Sequence, residues 1–290
     1  MKYRRLGRSG LRVSCLGLGT RGTFGAGTSE EEAERVLSAA YDLGVTLFDT
    51  SEASARAEKS LGRILRSKGW RPDRGLSRKH LLEGLRGSLR RLQLDYVDVV
   101  FAGPRPGPAH SEGMDPTLRL LRLEELVRAM SDVIEQGVAL YWGTAGTAPA
   151  DVMDAFAVAR QLNLVAPVCQ WAELPPEPRL FRQLGLGVVT WPPLGPAGEE
   201  SPGHGAAKGR PRCPVAPGEL QPLAQRLGCS ERQLGIAWSL RREGVSSVLV
   251  GAETPRGLRE QLRALQLLPR LGPAALRELE PLLGGGAAPP

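Results

Sequence analysis

Residues 47–54 read Leu-Phe-Asp-Thr-Ser-Glu-Ala-Ser, an apolar run that ends on a carboxylate, Asp49, with the hydroxyl of Ser54 five residues on. An acid at the end of a buried strand sits where α/β proteins present chemistry, outside the carboxyl ends of a parallel sheet. A partner for it is hard to find. The three histidines, His80, His110 and His204, fall on a helical stretch and in two loop stretches, where a solvated side chain is the ordinary reading. Tyr96 and Tyr141 begin strand-like runs, which puts them at the opposite end of the strands from Asp49, and Tyr41 and Lys59 lie in helical stretches. Cys15, Cys169, Cys213 and Cys229 show no CxxC or other metal spacing, so no metal site is expected and buried free thiols of a reducing compartment are.

The elements that must position these groups alternate in type. Short apolar runs at 13–18, 46–49, 96–101, 140–144, 167–170, 187–191 and 246–251 read as strands, and longer amphipathic stretches separate them. That rhythm is the signature of βα units around a parallel sheet. Ser29 followed by Glu32 opens a helix that stops at Gly44, a capping-box start and a glycine stop. A second helix, 77–92, carries Leu82, Leu85, Leu89 and Leu92 on one stripe, and a third runs from Ser230 to Glu243 before Gly244. Residues 3–13, centred on Gly7 and Ser9-Gly10, read as a hairpin ahead of the first long strand. The alternation breaks once. Between Gly62 and Leu76 a helix ending near Gly69 is followed only by a polar linker, Arg71-Pro72-Asp73-Arg74, and then by another helix. An eight-stranded barrel would therefore lack one strand at that point.

With 290 residues the chain can bury a substantial core as one large α/β unit or as two smaller ones. Net charge is +7 and the pI near 9.6, but the basic residues are mostly arginine spread over helices, and aromatics are only 5%. A nucleic-acid surface would need a basic stripe interleaved with aromatics, so nucleic acid is excluded as a partner. No run approaches the ~18 apolar residues of a membrane span, which leads to the expectation of a cytoplasmic protein. Residues 103–116 and 192–217 read as irregular loops, the latter with 12 Pro or Gly in 26 positions, and 284–290 as a disordered tail behind a single domain over 1–283.

Five stretches, MKYRRLGRSGLRVSCLGLGT at 1–20, GLSRKHLLEGLRGSLRRLQLDYVDVVFA at 75–102, YWGT at 141–144, LAQRLGCSERQLGIAWSLRREGVSSVLVGA at 223–252 and LQLLPRL at 265–271, resemble the aldo-keto reductase superfamily, and within it the β subunits of voltage-gated potassium channels. The resemblance implies an α/β fold of the (β/α)8 TIM-barrel type with an N-terminal β-hairpin, here incomplete by one strand. It implies NADPH at the carboxyl ends of the strands. It also implies docking on voltage-gated potassium channel α subunits as a homo- or hetero-tetramer, with the membrane reached only through the channel. Longer relatives carry an N-terminal extension that plugs the pore, so fast pore block is not expected of a chain that begins at the hairpin.

What the resemblance implies for catalysis is a deficit. Hydride transfer to a carbonyl leaves an alkoxide that needs a nearby acid. The family uses a tyrosine whose pKa, ordinarily about 10, is lowered by a lysine that an aspartate holds, and a histidine or asparagine orients the carbonyl. Of these only the aspartate is retained, as Asp49. Ser54 stands at the tyrosine position and Gly103 at the orienting one, and the lysine belonged to the missing strand. The retained cofactor positions are Thr20, Asp49, Trp191, Pro193, Leu194, Gly251 and Glu260. Departures are Arg21 for a tryptophan, Ala145 and Gly146 for a serine and an arginine, Trp171 for a glutamine, and Glu253 and Gly257 for a serine and a glutamine at the phosphate site. A carboxylate roughly 5 Å from a phosphate repels it by about 3 kcal/mol per unit charge at an effective dielectric near 20, so weakened NADPH binding is expected. The expectation is a regulatory subunit without useful reductase activity. The alternatives are an NADPH-dependent reductase of aldehydes and ketones, and a decayed or exon-skipped product.

Overall fold

The computed structural model describes residues 1–20, 28–51, 55–68, 78–103, 116–172, 178–194 and 218–283. Ser54, Arg21, the 71–74 linker, His110, His204, Cys213, most of the two long loops and the 284–290 tail lie outside them.

The hairpin pairs β1 (Tyr3–Arg5) antiparallel with β2 (Arg12–Ser14), Tyr3 opposite Ser14 and Arg5 opposite Arg12. Its turn is pinned by Ser9, whose hydroxyl donates to the Leu6 carbonyl at 2.7 Å and accepts from the Leu11 amide at 3.2 Å. Gly7, at φ +58°, approaches the Val168 carbonyl so closely that no Cβ would fit. The guanidinium of Arg4 donates to the carbonyls of Val245 (2.6 Å) and Leu240 (2.8 Å), which fastens the hairpin to the amino ends of the strands.

Seven parallel strands follow, interleaved with helices: β3 (Leu16–Gly19), β4 (Phe48–Asp49), β5 (Val97–Ala102), β6 (Ala139–Ala145), β7 (Cys169–Trp171), β8 (Gly187–Thr190) and β9 (Val245–Val250). Each expected strand is present, with ends shifted by a few residues. Strand order is β4-β3-β9-β8-β7-β6-β5, so β4 and β5 are the outer strands of an incomplete barrel. Val99, Phe101, Tyr141, Cys169, Trp171, Val189, Trp191 and Leu249 converge with Leu6 and Val13 of the hairpin in one apolar cluster, the lumen with its floor. Side-chain alternation turns the opposite strand faces toward the helices.

The helix starts follow the chain's own signals. Helix α1 (Glu30–Asp42) opens on a complete Ser29/Glu32 capping box, and α8 (Glu231–Arg241) on a Ser230/Gln233 box. Every residue of α8 from Gln233 to Leu240 is buried, because α9 (Pro255–Leu262), α10 (Ala264–Leu267) and α11 (Pro273–Leu283) cover the face turned away from the sheet.

The break in the alternation appears as direct helix-on-helix packing. Helix α2 (Ala55–Lys68) lies against α3 (Arg78–Leu92), with Gly62 so close to the backbone of Arg91 and Leu92 that a Cβ would collide. Next to this contact the Glu58 carboxylate, with 0% of its side chain exposed, accepts from Arg91 Nε at 2.5 Å, and Arg91 also donates to Ser88 Oγ at 3.0 Å. Among the described residues Glu58 Oε1 has no hydrogen-bond partner.

Candidate functional site at the strand ends

Three threonines mark the carboxyl ends of the strands. Thr20 follows β3, Thr50 follows β4 and Thr144 lies near the end of β6; each is at most 2% exposed, and among the described residues none of the three hydroxyls has a hydrogen-bond partner. A buried hydroxyl left unpaired costs about 1–3 kcal/mol, so three at one end of a sheet mark that end as built to meet a polar group. Asp49 closes β4 in register with Gly19 of β3. It is half-buried and already partnered.

Two indoles cover the lumen at this end. Trp171, the last residue of β7, and Trp191, just past β8, both pack on the lumen cluster. The Trp191 ring lies directly on Gly19, where any side chain would collide with it. Thr20, Asp49 and Trp191 are therefore brought together, as the sequence implies.

The other retained positions serve the scaffold. Pro193 and Leu194 pack on α8, within 3.6 Å of where a Cβ on Gly235 would sit. The Gly251 carbonyl accepts from Gln261 Nε2 at 2.7 Å. Glu260 accepts from Ser230 Oγ at 2.7 Å through its carboxylate and from Gln233 Nε2 at 2.8 Å through its carbonyl, so it ties α9 to the start of α8.

The departures have local reasons. Gly146 sits at φ +59° and its amide donates to the Trp171 carbonyl at 3.2 Å, a left-handed conformation that an arginine would adopt only with strain. At Gly103 no described residue comes within 4 Å of a Cβ placed there. Glu253 is exposed just ahead of α9, whose first turn is capped by Thr254 and carries the exposed cation of Arg256. That exposure lowers the expected repulsion. At about 5 Å in water it is about 0.8 kcal/mol per unit charge rather than about 3.

All four tyrosines of the chain are described, and none stands at the strand carboxyl ends. Tyr3 is in the hairpin and donates to the Gly44 carbonyl at 3.0 Å; Tyr41 is half exposed in the last turn of α1; Tyr96 immediately precedes β5. The Tyr141 hydroxyl points down the lumen, 3.6 Å from where a Cβ on Gly10 of the hairpin would be. Asp98 is the one carboxyl whose pKa burial raises, its own backbone amide offsetting this in part. It sits between Val99 and Val97 on β5 and, by alternation from the lumen residues Val99 and Phe101, faces the helices. Lys59 lines a cavity of about 320 Å³ between α1 and α2 with Glu30 and Arg63, beside the strand ends and with no strand residue in its lining. Among the described residues no cluster of three or more His, Cys, Asp or Glu side chains could hold a metal ion, and no helix is long and apolar enough to cross a membrane.

Thr50, Thr144 and Gln170, whose Nε2 donates to the Thr147 carbonyl at 3.0 Å beneath the β6 loop, belong to the site and were not singled out from sequence. Their signal was available: each is a polar residue at the carboxyl end of a strand run.

Residues 15–272 match the aldo/keto reductase family. Among solved structures the fold is similar to that of a thermostable aldo-keto reductase, Tm1743, crystallised with the inhibitor epalrestat. The match has a TM-score of 0.73 and 25% identity and covers 97% of this chain and 100% of that one.

Proposed function

The chain belongs to the aldo/keto reductase family, and from that premise we propose that it acts as a regulatory β subunit of voltage-gated potassium channels and not as a reductase. The observation that carries the second half is the placement of the tyrosines, every one of them away from the strand ends that the family uses for catalysis. Among the described residues, an alkoxide formed there would meet the hydroxyls of Thr20, Thr50 and Thr144 and the carboxylate of Asp49. An aliphatic hydroxyl is a far weaker acid than a phenol, and an ionised carboxylate has no proton to give. The first half rests on the stretches at 1–20, 75–102 and 223–252 that resemble channel β subunits. In that role the protein would assemble as a homo- or hetero-tetramer in the cytoplasm.

A dinucleotide fits one end of the site better than the other. The buried, unpaired hydroxyls of Thr20 and Thr144 and the face of Trp191 suit an amide-bearing aromatic ring, so Thr20, Asp49 and Trp191 would hold the nicotinamide end of NADPH. When bound, that group supplies a hydride. At the phosphate end, Gly257 offers only its backbone amide, already given to Thr254 Oγ1 at 3.1 Å. The three hydroxyls are also what favours the second reading, an NADPH-dependent reductase of aldehydes or ketones.

One experiment separates the two. The purified protein is offered the cytoplasmic N-terminal domain of a voltage-gated potassium channel, and in parallel NADPH with an aldehyde. Co-purification with the channel domain and no aldehyde-dependent NADPH oxidation are expected. Steady oxidation matched by aldehyde loss overturns the regulatory reading in favour of the reductase.

A further inference from the structure

We infer that the floor of the barrel docks on an anionic lipid bilayer through the β1–β2 hairpin and the adjoining end of α1. The proposal stands on a cluster of cations that lack acidic partners. Several helical arginines are paired: Arg63 with Glu30, Arg91 with Glu58, Arg119 with Asp151 and Asp154, Arg182 with Glu243, Arg226 with Glu278. Those of the hairpin are not, and they stand together. Lys2, Arg5, Arg8 and Arg12 are all exposed, and among the described residues none has a carboxylate within 4.0 Å; Arg8 reaches only the Gln183 carbonyl, at 3.5 Å. Arg5 and Arg12 are moreover direct cross-strand partners, and like charges placed opposite one another destabilise a hairpin. A surface that keeps such a pair is explained by an anion that bridges it.

Beside these cations lies a group of exposed apolar side chains, Met1, Tyr3, Tyr41 and Leu43, each 36–50% exposed and, among the described residues, half of the exposed large hydrophobic ones. The hydrogen bond from Tyr3 to the Gly44 carbonyl (3.0 Å) joins the hairpin to the end of α1, so the patch is continuous, and Asp42 is the one acidic side chain on that turn. Tyrosine and aliphatic groups ringed by arginine and lysine suit the headgroup layer of a bilayer. The patch offers exposed aliphatic and aromatic side chains as well as cations, which match the apolar and anionic parts of a headgroup layer together and favour the lipid surface over a purely acidic polypeptide. This contact needs no channel, so it and the channel reading fail separately.

The test is co-sedimentation of the whole protein with phosphatidylcholine vesicles, with and without phosphatidylserine. Saturable binding only to the phosphatidylserine vesicles, lost in high salt, is expected. Each cation at such a surface contributes about fivefold in affinity, so Arg5→Glu, a change of two charges, should weaken binding about 25-fold. The same change puts a carboxylate opposite Arg12, so the thermal midpoint should hold or rise. Arg226→Gln, on α7 (Gln221–Leu227), should bind as the parent does. Should Arg5→Glu not fold, Arg12→Gln takes its place with an expected fivefold loss. Equal binding to both vesicle types, indifference to the hairpin change, or capture of poly-glutamate without vesicle binding would each overturn the proposal, the last in favour of an acidic protein partner.

Discussion

The two flanks of the sheet are held by different means. On the closed flank β9 is paired on both sides, α8 behind it is buried from Gln233 to Leu240, and the helix start is braced by hydrogen bonds from Ser230 and Gln233 to Glu260. On the open flank β4 contributes two residues, β5 ends the sheet, and among the described residues α2 meets α3 through Gly62, the buried side chains of Leu61, Ile64 and Leu92, and the Glu58–Arg91 ion pair. The closed flank is secured by many apolar contacts, none of them decisive. The open flank has the shorter strand and depends on a buried charge being paired, so it should fail first.

The largest effect that could break this contrast is at Arg91. Its replacement by Leu strands the fully buried Glu58 carboxylate and should cost about 3–5 kcal/mol in urea unfolding; a loss below about 1 kcal/mol would mean that the open flank does not depend on the pair. Second is Glu253→Ser, on the closed side, which should tighten NADPH binding up to about tenfold in a fluorescence titration by removing an exposed carboxylate near the phosphate end. No gain would show that the pocket, not the charge, limits binding.

Next comes Ser230→Ala, the matching perturbation on the closed flank, expected to cost about 1 kcal/mol by removal of a helix cap. If it cost as much as Arg91→Leu the flanks would not differ. A smaller effect is expected at Asp98 on the open edge. Burial raises its pKa above the ordinary 3.8, so the folded protein holds the proton more tightly than the unfolded chain, and stability falls as pH rises from the ordinary value through the raised one. Asp98→Asn should accordingly raise the melting temperature at neutral pH and give no gain at pH below the ordinary carboxylate value. A benefit that persisted in acid would point to a cause other than charge. Smallest of all is Ser54→Tyr, which should give no measurable aldehyde reduction, since no lysine is restored with it; turnover by that single variant would show that the family's lysine is dispensable here.

Much of the fold was legible in order and type. Period-two and buried apolar runs located all seven parallel strands, and the Ser29/Glu32 pair and Ser230 marked two helix starts, because strand periodicity and capping are local properties of the chain. The charge reading needed an addition. Arginine was read as spread over the helices, and folding also sets Lys2, Arg5, Arg8 and Arg12 together on one hairpin with Arg5 opposite Arg12, a matter of cross-strand register that composition does not contain. Of the site positions that the family resemblance implied, Thr20, Asp49 and Trp191 lie together at the strand ends, and Pro193, Leu194, Gly251 and Glu260 also take part in packing and helix bracing.

By itself the sequence determined the strand and helix order, the place where the alternation fails, and the lack of a phenol next to Asp49, since each is a matter of residue type and spacing along the chain. Only the tertiary structure decided that α2 closes directly on α3, that Thr20, Thr50 and Thr144 share an end of the sheet with their hydroxyls unpaired, and that Tyr141 points to the floor. Those outcomes depend on which distant segments are brought within a few ångströms of each other, and that is settled by packing across the sheet rather than by any local preference.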